Sequence, residues 1–184
     1  VISGTAIDSV VARRLQDGDL TGDIRRAMAA YPHQDTIKEI TDRFYIEGGR
    51  AEGKPYLDVP KLSIKGNLFS NKLLTVASFV EVWLAKEGHN GLIGMNILEK
   101  IQLAIPAQLY GAMLADVDYI LIGAGIPAPF GSCGHCLCDG SNCLPVERIQ
   151  SNSESSMALA LVMAEHETLV FRRTAGRAVD CRLS

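Results

Sequence analysis

Cysteine is absent from most of this chain, because all five cysteines lie at or after Cys133. The first two thirds therefore cannot be held by internal disulfides, and we expect a reducing, cytoplasmic compartment. Aromatic residues make up only 6% of the 184 residues and the formal net charge is -3, which argues against a nucleic-acid partner. Long apolar runs are also missing. The longest, MALALVMA at 157–164, is too short to span a bilayer, so we expect no membrane partner.

The remaining composition is that of a folded domain. Hydrophobic residues make up 47% of the chain, which is enough for one domain with a core. The chain opens with VISGT, which is typical of a strand already under way, without an initiator Met or a signal segment. We therefore expect a truncated or processed chain.

The first third predicts a short strand and three helices. A helix capped by Asp8 runs through Leu15, a second occupies 22–31, and a third opens at Asp35. In the third, three apolar residues recur at spacings of three and four and share one face: Ile37, Ile40 and Phe44. Residues 50–72 show no clear periodicity and predict an irregular connection that covers a site.

The next fifty residues alternate between strand and helix patterns. LLTVASF is a continuous apolar run, and the S-x-x-E spacing of Ser78 and Glu81 predicts a capping box after it. Strands joined by helices within so short a span pair in parallel, and we expect VISGT to join the same sheet. The predicted elements are strand 73–79, helix 79–87, strand 92–98, a helix from Pro106 to Ala115, and strand 117–122.

A glycine-rich turn follows the last of these strands. Gly123, Ala124 and Gly125 occupy a strand's carboxyl end, where α/β proteins bind ligands. GAGIPA formally fits the dinucleotide pattern G-x-G-x-x-A, but Pro127 and Pro129 leave no helix to receive a pyrophosphate. A flavin or similar ligand and a tight turn without a ligand both remain open here.

Two further polar residues are candidates for the same site. Asn96 is the one polar residue in GLIGMNIL, and its amide can both donate to and accept from a planar heterocycle. Spacing alone favours the alternative, an Asn that closes a loop. His89, in KEGHNG, is a candidate acid–base group, with a solvated loop histidine as the alternative. Glu81 and Lys86 belong most simply to a helix end and a solvated face.

Several segments together resemble the nitronate monooxygenase family, and bacterial members most closely. They are SGTAIDSVVARRLQDGD, GDIRRAMAAYP, SFVEVWLAKEGHNGLIGMNILEKIQL and LYGAMLADVDYILIGAGIP, and the likeness covers about residues 1–128. The resemblance implies an FMN-dependent (β/α)₈ TIM-type barrel that oxidises alkyl nitronates with molecular oxygen. It implies that Gly94 and Asn96, from the family's G-x-N pattern, contact the flavin, and that 123–127 lines the same pocket.

The chain departs from the family pattern after residue 128. The glycine-histidine segment that carries the family's catalytic histidine has no counterpart, nor do its later phosphate-binding loops. We therefore expect a partial flavin-binding barrel over 1–130 and a divergent tail over 131–184, with an irregular Cys-rich loop followed by a helix over 157–173. Such a chain is expected to be inactive alone. A flavin-dependent enoyl reductase that acts on enoyl thioesters with a fatty-acid or polyketide synthase is the first alternative.

The cysteine cluster is the second source of an alternative. Cys133, Cys136, Cys138 and Cys143 read C-x₂-C-x-C-x₄-C with His135 between them, and thiolates with imidazole suit zinc. Structural zinc sites usually use two separated pairs of ligands, which this run lacks. We therefore predict no metal. A zinc-binding interaction module, disulfides, a frameshifted reading frame and an unfamiliar extension remain open.

Overall fold

A computed structural model describes residues 1–63, 67–98, 100–123 and 169–172 of the chain. These residues form a mixed α/β structure in which a short 3₁₀ turn, Gln102–Ala104, leads into the last helix. In chain order the elements are β1 (Ile2–Ser3), α1 (Ile7–Gln16), α2 (Asp23–Ala29), α3 (Gln34–Phe44), α4 (Leu68–Lys86), β2 (Gly94–Leu98), α5 (Ile105–Leu114), β3 (Tyr119–Gly123) and β4 (Leu169–Arg172).

The strands form a single sheet in the order β1-β2-β3-β4. The first three strands are parallel, with Ile2 opposite Met95 and Met95 opposite Ile120. The prediction that VISGT joins a parallel sheet with 92–98 and 117–122 is therefore confirmed. The fourth strand is antiparallel to β3. The helix predicted over 157–173 is wrong at 169–172, where the backbone pairs with β3 as a strand.

The three early helices form where the sequence predicts them. The face of α3 that carries Ile37, Ile40 and Phe44 is buried, as its spacing indicated. Asp8 does not cap α1: the residue at that position is Ala6, and the Asp8 Oδ1 accepts from the N–H of Ser9 at 2.8 Å within the first turn. Local side-chain bonding of this kind replaces the expected cap.

The apolar run 73–79 is the clearest error of the sequence prediction, because it lies inside the long helix α4. Asn67 caps this helix by accepting from the N–H of Ser70 at 3.2 Å. Ser78 starts no helix, since it lies in the interior of α4 and its Oγ donates to the carbonyl of Leu74 at 2.9 Å. A serine hydroxyl inside a helix commonly donates to the carbonyl four residues earlier in this way, so the S-x-x-E spacing has no capping role here.

Helix α4 forms the centre of the helical layer. It contacts α1, α2, α3 and α5, and its side chains from Leu73 to Val80 are all buried. By length and composition alone α4 could cross a membrane, although 56% of its apolar window is buried inside the protein, and core helices of soluble proteins pass the same test. Its contact with α5 is close, because a Cβ on Gly111 would lie 2.0 Å from the carbonyl oxygen of Thr75.

The connection between α3 and α4 is irregular through residue 63, as predicted, but helix α4 begins at Leu68 and so replaces the last part of the predicted loop. Gln16 fixes this connection to α1. Its Nε2 donates to the carbonyl of Leu57 at 3.1 Å, and its Oε1 accepts from the Leu57 N–H at 2.7 Å. The loop therefore lies against the helical layer, and Leu62 packs on the core.

The predicted Cys-rich loop and the boundary near residue 130 fall outside the described residues. Among the residues that the structure does describe, no group of three or more His, Cys, Asp or Glu side chains could hold a metal ion.

Candidate functional site

The two faces of the sheet differ in their exposure. The four side chains that face the helices are fully buried: Met95, Ile97, Ile120 and Ile122. On the opposite face, called here the open face, Asn96 is exposed, and Leu98, Tyr119 and Leu121 are half-buried. Parallel sheets are ordinarily covered on both sides. The open face is therefore the surface of this sheet on which a ligand or further protein structure can pack.

Asn96 lies at the centre of the open face. It is in register with Ser3 on one side and with Leu121 on the other. Its backbone carbonyl accepts from the N–H of Gly4 at 2.6 Å, whereas no hydrogen bond joins its side-chain amide to another described residue. An exposed amide can donate and accept at once, so Asn96 can bind the polar edge of a planar ligand.

Gly94 lies two residues before Asn96, on the same face. A Cβ built on Gly94 would meet the Cδ1 of Leu121 and the Cβ of Tyr119 at 3.4 Å each, which is ordinary contact. Neither the packing nor a left-handed backbone therefore requires glycine at this position. Gly94 is nevertheless buried, with the side chains of Tyr119 and Leu121 close to its backbone.

The glycine turn is described only at its first residue. Gly123 ends β3 and pairs with Leu98, so the carboxyl ends of β2 and β3 lie side by side. Asn96 pairs two residues earlier, with Leu121, in the middle of the sheet. Ala124 and Gly125 lie outside the described residues. The structure thus brings Gly94, Asn96 and the start of the turn onto neighbouring strands.

His89 is not part of this arrangement. It is exposed in the loop that precedes β2, and its Nδ1 accepts from the N–H of Gly91 at 2.9 Å. That loop enters β2 at its amino end, whereas Gly123 lies at the carboxyl edge of the sheet. The two candidate residues therefore lie at opposite edges.

Two charged residues of α4, Glu81 and Lys86, contact other parts of the protein and are not simply solvated. The pKa of Glu81 is raised by burial, an effect that the positive charge of Arg14 partly offsets. Lys86 is not a freely solvated residue, because its Nζ donates to the Asp118 Oδ2 at 3.0 Å and to the carbonyl of Asp116. Asp118 in turn accepts from the N–H of Ile93, so Lys86 helps to hold the amino ends of β2 and β3.

A pocket that the sequence did not reveal lies at the carboxyl ends of β1 and β2. Its volume is about 180 Å³. The lining residues come from the β1–α1 turn, the irregular connection, α4 and the segment from β2 to α5: Gly4, Thr5, Ala6, Asp8, Leu62, Leu74, Leu98, Ile101, Ala104 and Gln108. Such an edge is where α/β proteins bind their ligands. A glycine directly after a short strand was the available signal.

Gly4 brings the wall of this pocket close to β2. Its N–H donates to the Asn96 carbonyl, and its own carbonyl accepts from the Nε2 of Gln108. A Cβ on Gly4 would lie 2.8 Å from the Asn96 carbonyl oxygen, closer than real Cβ atoms approach. Glycine is therefore required here for the close approach of two backbones. The contact also joins the pocket to the strand that carries Asn96.

The described lining of the pocket carries one negative charge. Among these residues Asp8 is charged, Thr5 and Gln108 are polar, and none is a lysine or arginine. Because a phosphate group needs cations or several converging N–H groups, these residues are not suited to the FMN phosphate. The open face, with its exposed amide and apolar neighbours, is suited to a flavin ring.

Comparisons of the chain with protein-family models, with curated proteins and with solved structures found no match.

Proposed function

We propose that this chain forms part of an FMN-dependent (β/α)₈-type barrel that oxidises alkyl nitronates with molecular oxygen. The family resemblance over residues 1–128 supplies the reaction. The observation that carries the proposal is the exposed amide of Asn96 on a sheet whose other face is covered by helices. In a closed barrel of this type helices cover the outside and the other face points inward, and eight strands are needed. Three parallel strands with one open face fit a part of that arrangement.

The described residues fit the ring system of the cofactor. The Asn96 amide can bind the polar edge of the ring. The family resemblance also assigns Gly94 to the flavin, although this residue is buried. Leu98, Tyr119 and Leu121 supply an apolar surface beside it. FMN, when bound, supplies the redox chemistry, and these residues orient its ring. We assign no phosphate-binding residue.

No described residue takes the role of a catalytic acid or base in this proposal. His89 lies at the amino edge of the sheet, so it is poorly placed to exchange a proton with a substrate on the open face near Gly123. We therefore expect the 184-residue chain to be colourless as purified and to turn over nitronate no faster than free FMN. Nitronate-dependent oxygen uptake is expected of the longer protein to which we propose it belongs.

Flavin binding tests the proposal directly. Titration of the chain into FMN, followed by flavin fluorescence, is expected to show weak, saturable quenching. Asn96→Ala removes a hydrogen bond worth about 0.5–1.5 kcal/mol, so the affinity should fall by roughly two- to twelvefold. Asn90→Ala is the matched control, because Asn90 is an exposed asparagine in the loop at the opposite edge. Absence of quenching, or equal losses in the two variants, would contradict the proposal.

The reaction is tested separately from binding. Oxygen uptake with a propyl nitronate, compared with reduction of an enoyl thioester by a reduced nicotinamide, distinguishes the nitronate reaction from the enoyl reductase alternative in the longer protein. Oxygen uptake with the nitronate, without reduction of the enoyl thioester, supports the proposal. Thioester reduction without nitronate oxidation would assign the chain to the alternative.

A further inference from the structure

We propose that the pocket at the carboxyl ends of β1 and β2 is a binding site for a short primary aliphatic amine in its ammonium form. The site extends beyond the proposed flavin function and shares one residue, Leu98, with the surface proposed for the flavin ring. The proposal is argued from the volume of the pocket, the side-chain oxygen of Gln108 and the carboxylate of Asp8.

The volume and the apolar lining determine the size of the ligand. A cavity of about 150 Å³ lined by aliphatic and aromatic side chains holds a benzene molecule. At about 180 Å³ this pocket therefore holds a chain of roughly four to six carbons with a small polar head. The alkyl chain would contact the apolar lining residues Leu62, Leu74, Leu98 and Ala104.

Gln108 supplies a fixed acceptor inside the pocket. The residue is only 4% exposed, and its Nε2 donates to the Gly4 carbonyl, which orients the amide. The Oε1 accepts no hydrogen bond from another residue in the described part of the chain. This oxygen can therefore accept a hydrogen bond from a ligand N–H.

Asp8 determines the charge of the ligand. It is half-buried, and within the described residues it forms no ion pair. Its Oδ1 accepts from the Ser9 N–H, and its Oδ2 forms no hydrogen bond with another described residue. Asp8 is the one charged residue among the described residues of the lining, and its carboxylate repels an anion and attracts a cation. An ammonium group has three N–H donors, which match the Asp8 carboxylate, the Gln108 Oε1 and the hydroxyl of Thr5.

Three probes of equal chain length test the proposal: n-butylammonium, 1-butanol and butyrate. Each is titrated into the chain at pH 7, and binding is followed by two-dimensional NMR of the side-chain amide of Gln108 and the methyl groups of Leu74 and Leu98. We expect n-butylammonium to bind at least about tenfold more tightly than butyrate, with 1-butanol between them. Absence of methyl shifts with any probe, or butyrate binding as tightly as n-butylammonium, would overturn the proposal.

Variants then test the position and the charge. Ile101→Trp fills the pocket from its exposed side and should abolish binding of all three probes. Leu103→Trp is the matched control, because Leu103 is similarly exposed, at 48% against 44%, and does not line the pocket. Both positions are on the surface, so both variants should fold. Asp8→Asn keeps the acceptor for Ser9 and should lower n-butylammonium affinity to that of 1-butanol, leaving 1-butanol unchanged. Equal binding by the Ile101 and Leu103 variants would refute the assigned site.

Discussion

Replacement of Gly111 by alanine has two opposing effects on the free energy of unfolding, and the contact between α4 and α5 shows which is larger. Alanine is the better helix former by about 1 kcal/mol, so helix propensity alone predicts a more stable protein. The added Cβ would lie 2.0 Å from the carbonyl oxygen of Thr75, whereas real Cβ atoms essentially never lie within 3.0 Å of such an atom. Helices α4 and α5 must therefore separate by about 1 Å, a gap that removes up to half of the attraction between atoms in contact. With overpacking near the upper end of its range, about 3 kcal/mol, the net loss is about 2 kcal/mol.

Urea denaturation followed by the fluorescence of Trp83, the one tryptophan, measures this loss. A slope of about 2 kcal/mol per molar converts the loss to a fall of about 1 M in the midpoint. The second variant Gly111→Ala with Ser78→Gly is the internal control. It removes the Ser78 Cβ, 2.9 Å from the new methyl, but leaves the backbone oxygen of Thr75 in place, so it should not restore stability. A single variant as stable as the natural chain, or more stable, would refute the reasoning.

Three other substitutions have expected outcomes. Burial raises the pKa of Glu81, so the folded state holds the proton of this carboxyl to a higher pH than the unfolded state does. The protein therefore loses stability as the pH rises through that interval. Glu81→Gln should stabilise the protein more at pH 7 than at pH 4, as urea midpoints at the two pH values will show. Asp19→Ala removes both acceptors of the first N–H groups of α2, including that of Arg25, and should lower the free energy of unfolding by about 1–2 kcal/mol in the same assay, with Asp19→Asn intermediate. Gln16→Ala releases the irregular connection from α1, and faster proteolysis between α3 and α4 is the expected result; an unchanged cleavage rate would count against that anchoring role.

The elements predicted correctly are those in which the order of apolar and polar residues along the segment already shows which face is buried. Helix α3 has one apolar face and one polar face, so its period is visible in the sequence. Pro106 lies in the first turn of α5, where proline is favoured. The residues of β2 and β3 are flanked by glycine and turns, and their parallel pairing follows from the helix between them.

The second half of helix α4 agrees with the helix predicted over 79–87, whereas its first half was predicted as a strand because residues 73–80 are buried on nearly all sides. Contacts with α1, α2, α3 and α5 leave no polar stripe over 73–80, and an apolar run without a stripe is equally typical of a buried strand. The capping signal at Asn67 was present in the sequence, but the later S-x-x-E at Ser78 concealed it. Only the packing of four other helices, which one segment's pattern does not contain, distinguishes the two structures.

Candidate residues within one strand could be predicted from the sequence, whereas a site built from several segments could not. Asn96 was identifiable as a polar residue in an apolar strand, and its exposure on the open face agrees with a ligand role that remains a prediction. The pocket combines Gly4, Leu62 and Gln108, which are far apart along the chain. No spacing rule connects such residues, so only the fold shows that they meet.

The pairing of β1 with β2 joins residues more than ninety positions apart, Ile2 with Met95, and all of the first four helices lie between them. Closing so long a loop lowers the conformational entropy of the chain before the stabilising contacts have formed. Proteins rich in such long-range contacts therefore fold slowly. We expect the helices to assemble first and β1 to join the sheet in a late step. The same step brings Gly4 to Asn96 and completes the wall of the pocket at the carboxyl ends of β1 and β2. Pulse-labelled hydrogen exchange of the Gly4 N–H reports that step, and protection as early as that of the α4 amides would refute this order of folding.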